Sequence, residues 1–121
     1  GLTAAAEDLV DRLDMPAALD SELGASPLPS ATAHTGYFVL AELVANAVKH
    51  SRASLVRIVL RQDGDRLLLE VSDDGVGGAR VTAGGTGLRG LADRVAAFDG
   101  SFDIESDAGA GTRVRVELPC G

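Results

Sequence analysis

The chain has 121 residues, 45% hydrophobic and only 3% aromatic, which suits one domain around a single aliphatic core. Its formal charge of −7 argues against the basic footprint of a nucleic-acid-binding surface, yet leaves room for a nucleotide whose phosphates a metal ion neutralises. With one cysteine, Cys120, no signal-peptide pattern and no apolar run of the roughly 18–20 residues that a membrane span needs, the expected setting is a cytoplasmic, reducing one.

Apolar residues at Leu2, Ala5, Ala6, Leu9 and Leu13 follow helical spacing, and Pro16 either ends that helix or begins the strand after it. A short strand follows from Ala17 to Leu23, and "GASPLPS" (Gly24 to Ser30) reads as a loop. A long helix is predicted from about Thr32 to His50, with Thr32 or Ser30 as its N-cap. Strands at Ser54–Arg61 and Arg66–Ser72 are joined through Asp63-Gly64, a strong hairpin signal. The glycine-rich run from Asp73 to Thr86 has no apolar period and is read as loop.

Helical spacing returns from Gly87 to Phe98, with Leu88, Leu91, Val95 and Phe98 on one face and Gly100 closing the helix. Strands at Ser101–Ser106 and Thr112–Leu118, linked by "DAGAG", complete the chain. Their clean alternation implies a sheet with one buried face and one wet face, so helices cover one side. The expected fold is a two-layer α/β sandwich: a mixed sheet of about five strands under about three helices, in a single domain spanning residues 1–121. The abrupt start at Gly1 suggests a piece of a longer protein.

Three clusters carry chemistry. The first lies in "LAELVANAVKH", where Leu40, Leu43, Val44 and Ala47 form an apolar helix face. Glu42, Asn46 and Lys49 fall within about 60° of each other on the other side, with His50 next to Asn46. A solvated face is the ordinary meaning of such residues. Here, however, Phe38, Ala41 and Ala45 flank the polar line, which points to a helix covered on both sides and so to a site. An Asn oxygen is a neutral hard ligand suited to Mg²⁺, Glu42 could orient a metal water or a nucleophile, and Lys49 offers a point charge to phosphate. His50 could donate to phosphate or cap the helix C-terminus.

The second cluster is "LLLEVSDDGVGG". Strand parity puts Asp73 on the face of Leu67, Leu69 and Val71, and an inward carboxylate needs a partner, for which a base amino group is suited. Asp74 points the other way, toward solvent. Thr112 turns inward with Val114 and Val116, where its hydroxyl could join Asp73 around one ligand edge. Gly75 and Gly77 let the backbone pass close to a flat ring.

The third is "GGTGLRG". Gly85, Gly87 and Gly90 make a formal G-x-G-x-x-G, and Glu105 stands 20 residues after Gly85, where a dinucleotide fold places its ribose-binding acid. That reading fails, because about a dozen loop residues separate the glycines from the preceding strand and the Asp63-Gly64 hairpin makes the neighbouring strands antiparallel. Gly85, Thr86, Gly87 and Leu88 instead supply backbone N–H groups beside a helix N-terminus, an anion site by geometry. Any one of these clusters alone reads as a plain turn or wet face; their co-occurrence in one short domain argues for a nucleotide.

With these residues in view, the chain resembles the ATP-binding catalytic domain of bacterial sensor histidine kinases, within the Bergerat-fold group of gyrase, heat-shock chaperone, kinase and mismatch-repair ATPases. "ELVANAVKH" is similar to the N box, "DDGVGG" to the G1 box, "GTGLRGL" to the G2 box and "GAGTRVRVELP" to the closing strand motif. The wording is nearest the short-lid subfamily of the nitrate and desaturase sensors. The resemblance implies that Asn46 binds Mg²⁺, that Asp73 meets the adenine amino group with Thr112 nearby, and that Lys49 and the glycine loop meet the phosphates of ATP. Glu42 corresponds to the N-box acid.

It further implies a phosphoacceptor histidine on a separate dimerisation domain, a response regulator as partner of the whole protein, a parent that is membrane-anchored in some members, and a monomeric isolated domain. Neither His34 nor His50 lies in the His-Asp or His-Glu context of a phosphoacceptor, so the isolated domain is not expected to phosphorylate itself. An anti-sigma-factor serine kinase and a non-catalytic nucleotide-sensing module of the same fold stay open as alternatives.

Overall fold

The structure, a computed structural model, describes residues 1–24, 27–50, 52–76, 87–106 and 108–120. Among them the elements run α1 (Leu2–Asp11), β1 (Ala17–Glu22), α2 (Ser30–His50), β2 (Val56–Asp63), β3 (Arg66–Asp73), α3 (Gly87–Ala97), β4 (Ser101–Ser106) and β5 (Thr112–Pro119). The sheet order is β1-β2-β3-β5-β4. β1 and β2 are parallel, with α2 as the crossover that parallel pairing requires, and the other pairings are antiparallel. The expected α/β sandwich on a mixed sheet is what forms.

Alternation decides which face is covered. Val56, Ile58 and Leu60 of β2, Leu67, Leu69 and Val71 of β3, and Val114, Val116 and Leu118 of β5 are all buried. Onto them pack Val39, Leu40, Leu43, Val44 and Ala47 of α2, Leu2 and Ala6 of α1, and Leu91 and Val95 of α3 in one core. The opposite face is a lattice of exposed ion pairs such as Arg61–Glu22 at 3.0 Å, Arg113–Glu70 at 3.3 Å and Arg115–Glu70 at 3.4 Å. Each such pair contributes about 1 kcal/mol at most, so the apolar face holds the sheet together.

Several boundaries differ from expectation. α1 stops at Asp11 rather than Leu13. Neither proposed N-cap serves α2: Ser30 is its first residue, and the Thr32 hydroxyl instead donates to the Pro119 carbonyl at 2.8 Å. The β2–β3 turn sits one residue later than the Asp63-Gly64 reading, because Asp63 already pairs with Arg66 and leaves Gly64-Asp65 as the turn. α3 ends in a left-handed residue that is Asp99 (φ 60°), not glycine. The Gly100 N–H then reaches the Val95 carbonyl at 2.9 Å and the Asp99 N–H the Ala96 carbonyl at 3.0 Å, the two bonds of a Schellman motif. Gly100 is required for a different reason: a Cβ there would collide with the Glu117 carbonyl.

The Thr32–Pro119 bond also orients α2. It anchors the helix start at the Pro119 end of the sheet. Since 21 helical residues extend about 30 Å and an eight-residue strand about 26 Å, the second half of α2 lies toward the opposite end, where β3 finishes and β5 begins. α2 also contacts α1, α3, β3 and β5, but the covering on both sides expected of its polar line is incomplete, since Phe38, Glu42 and Lys49 are exposed.

Candidate functional site

At that end of the sheet, Asp73 is the last residue of β3, in register with Val56 on one side and Thr112 on the other. It is half-buried on the core-facing side, and its Oδ1 accepts the Gly75 N–H at 2.8 Å. Burial pushes the Asp73 carboxyl above its ordinary pKa and the neighbouring Asp74 charge adds to this, while the Gly75 and Thr112 backbone N–H groups pull it down. The Thr112 hydroxyl shares a 2.7 Å hydrogen bond with Ser106, its partner across β4 and β5.

The turn before β5 closes tightly over this corner. Gly111 has φ 80°, and a Cβ on it would fall on the Asp73 carbonyl oxygen. The Gly109 N–H donates to the Val76 carbonyl at 2.6 Å. On the other flank, Asp74 is exposed but fully engaged. Its Oδ1 accepts the Ser54 and Leu55 N–H groups at 2.8 and 3.0 Å, and its Oδ2 the Ser54 hydroxyl. Those three bonds hold its carboxyl below the usual range. They also explain why β2 begins at Val56 and not Ser54: the backbone donors of Ser54 and Leu55 go to Asp74. A cavity of about 330 Å³ at this end is lined by Asp73, Gly111 and Thr112 together with Arg57, Ser72 and Arg113 of the wet face, so it opens on the side of the sheet away from α2.

On α2 the polar line is present, with Glu42 and Lys49 exposed and Asn46 half-buried. These residues do not line the cavity beside Asp73, although α2 carries them toward that end of the sheet. The Arg94 guanidinium of α3 stacks 3.9 Å from the Phe38 ring, fixing α3 against the same helix.

Residues 35–121 match the family described as histidine kinase-, DNA gyrase B-, and HSP90-like ATPase. The chain belongs to that family. Sensor histidine kinase YdfH of Bacillus subtilis is 31% identical over 123 residues, covering 98% of this chain and 30% of that protein. Oxygen sensor histidine kinase NreB of Staphylococcus carnosus is 34% identical over 69% of the chain, and sensor histidine kinase ComP of B. subtilis 36% over 68%. The chain spans 25% and 11% of those two proteins. The histidine kinase domain of the Erythrobacter litoralis blue-light activated histidine kinase superposes with a TM-score of 0.74 at 21% identity, over 98% of this chain and 59% of that one. Acinetobacter baumannii AdeS does so with 0.70 at 20%, over 99% and 61%. These structures share the fold.

In this histidine kinase-like ATPase domain, the residues singled out in the sequence are distributed as follows. Asp73, Gly75 and Thr112 meet at one corner. Glu42, Asn46 and Lys49 share one helix, whose last residue is His50. Gly87 opens α3, and Leu88 is half-buried against the core. Gly77, Gly85, Thr86 and the His50 side chain lie outside the described residues. Glu105, the acid of the rejected dinucleotide reading, is 4.0 Å from Arg113 on the wet face. Sequence reasoning missed Ser54, Ser106 and the tight seat of Gly111. Of these only Gly111 left a signal, a glycine directly before a strand. No helix among the described residues is long and apolar enough to cross a membrane.

Proposed function

We propose that the chain is the ATP-binding catalytic domain of a sensor histidine kinase, which binds Mg-ATP and passes its γ-phosphoryl group to a histidine on a separate dimerisation domain. The carrying observation is the Asp73 corner: a half-buried carboxylate, set by Gly75 and Thr112 at the end of the sheet toward which α2 carries Asn46 and Lys49. That all three relatives named above are called sensor histidine kinases favours this reading over a serine kinase or a nucleotide sensor.

The residues fit a metal–nucleotide complex better than a resident metal. No group of three or more His, Cys, Asp or Glu that could hold an ion occurs among the described residues, so the ion would depend on the Asn46 amide oxygen, phosphate and water. Held there, Mg²⁺ supplies neutralisation of the charge on the transferring phosphoryl group.

The protein's own groups then position. Asp73 accepts from the adenine amino group, a contact that also offsets its burial. Lys49 meets phosphate oxygens, and backbone N–H groups at the start of α3, from Gly87 and Leu88, face the same anion. Glu42 orients the incoming imidazole and takes its proton as the nitrogen bonds to phosphorus and ADP departs. The signal then passes to a response regulator through the whole protein, of which this domain is a part.

Calorimetric titration with ATP and ADP, with and without Mg²⁺, tests the reading against Asp73→Asn. Binding by the wild-type domain and its loss in the variant are expected; a well-folded wild-type domain that binds neither nucleotide overturns it. Incubation with γ-labelled ATP should leave the isolated domain unlabelled and put acid-labile phosphate on an added dimerisation domain. Label on His34 or His50 would refute the expectation of a separate phosphoacceptor, and acid-stable phosphoserine would refute the histidine-kinase assignment.

A further inference from the structure

We propose that Asp74 is a positioning residue for nucleotide binding: its carboxylate ties the α2–β2 connection to the end of β3, and so sets where Asp73 stands relative to the helix carrying Asn46 and Lys49. The inference rests on the nucleotide-site reading above and deepens it. Ser54 and Leu55 lie between the end of α2 and the start of β2, and both donate their backbone N–H to one Asp74 oxygen while the Ser54 hydroxyl reaches the other. The bridge spans 19 and 20 residues of sequence, so it is a tertiary clamp and not a local turn.

Its position makes it more than a surface cap. Asp74 is bonded through the chain to Asp73 on one side and to Gly75 on the other, and the Gly75 N–H itself holds the Asp73 carboxylate. On the β5 side the same segment is pressed by Gly111 and bonded by Gly109. The adenine-binding acid therefore stands between two anchors, one toward β5 and one, Asp74, toward α2. Bonds from backbone N–H groups to a carboxylate are charge-assisted and directional, and the depressed pKa of Asp74 keeps its charge present through the neutral range.

Asp74→Ala, Asp74→Asn and Ser54→Ala test this by amide hydrogen exchange without nucleotide and by ATP and ADP titration. In Asp74→Ala the Ser54, Leu55 and Gly75 amides should exchange about tenfold faster, and both nucleotides should bind about tenfold more weakly by the same factor. Asn keeps one oxygen for the two N–H groups and an amide to donate to the Ser54 hydroxyl, so it should return affinity to within about twofold of wild type. Ser54→Ala removes one leg and should cost about two- to threefold, serving in place of Asp74→Ala if that variant does not fold.

A variant that melts lower yet keeps Gly75 protection and nucleotide affinity would show a purely structural cap and overturn the proposal. If the wild-type domain binds no nucleotide, the nucleotide-site reading fails and the proposed binding role of Asp74 falls with it; Gly75 exchange then shows separately whether the clamp itself exists.

Discussion

At the end of β3 the backbone is packed so closely that a methyl group on Gly111 has no room, and Asp73, Asp74 and Thr112 all have protein partners. Along α2, by contrast, Glu42 and Lys49 stand in solvent and Asn46 is only half-buried, with no side-chain bond from these three to any other described residue. Under the proposed function, the first region is organised before a ligand arrives, and the second presents groups whose partners the ligand would bring. An adenine ring needs a fixed hydrogen-bonding edge in a shaped seat, whereas phosphates and their metal can be gathered by longer side chains and solvent. Substitutions at the corner should therefore change stability as well as binding, and those on the helix should change binding alone.

The largest expected effect separates two glycines of one turn. Gly111→Ala meets both a positive φ and the Asp73 carbonyl, and should lose about 3 kcal/mol in urea unfolding. Gly109→Ala also has a positive φ but open space around its Cβ, so about 1 kcal/mol is expected. Equal losses would mean that conformation alone, and not the close approach to β3, governs the turn.

Next is Asp73→Asn, which should move binding and stability in opposite directions. The amide oxygen can still accept from Gly75, but the charged acceptor for an adenine amino group is gone, so ATP affinity should fall by about 2 kcal/mol, roughly thirtyfold. The Asp73 pKa is raised in the folded state, so its favourable contribution is complete below the unfolded carboxylate pKa and is lost as pH rises through the folded value. At pH 7 the charge is a small liability, and the variant should melt slightly higher than wild type, with the difference shrinking as pH falls through the carboxylate range. Asp74 has the opposite sign: its pKa is lowered, so its contribution is present above the unfolded value and lost as pH falls through the folded one. Two adjacent acids with opposite pH dependence can be read in one series of thermal melts of Asp73→Asn and Asp74→Asn.

The legibility of these features follows from the range of the interactions that make them. Alternation in "RLLLEVS" and "TRVRVEL" placed the buried faces, and helical spacing placed Leu40, Leu43, Val44 and Ala47 inward, because both patterns are set by neighbours within a few residues. The same parity put Asp73 on the covered face and Asp74 outside it. What parity could not supply was Asp74's engagement with Ser54 and Leu55, 20 and 19 residues away, which moves the start of β2. Local spacing makes the Thr32 hydroxyl a helix cap, whereas it bonds Pro119, 87 residues on. Gly100 looked like the left-handed helix terminator because glycine accepts that conformation best; Asp99 takes it, and Gly100 is held by the approach of Glu117. At Asp74, Thr32 and Gly100 the deciding interaction is a tertiary contact that a sequence window cannot contain, whereas the end of α1 and the β2–β3 turn differ by only one or two residues.

The smallest effects belong to α2, and the way they differ tests whether its polar line is a site. Asn46→Ala should weaken ATP binding about tenfold in the presence of Mg²⁺ and hardly at all in its absence, since the amide oxygen would act through the ion. Lys49→Ala should cost about threefold with or without Mg²⁺, and that difference should fade as salt rises, because an exposed ammonium acts on phosphate through screened charge. Both variants should unfold within about 0.5 kcal/mol of wild type, because neither side chain has a described partner to lose. A Mg²⁺-independent loss at Asn46, or a loss of stability at either position, would place that residue in the packing of α2 and return the polar line to an ordinary helix surface.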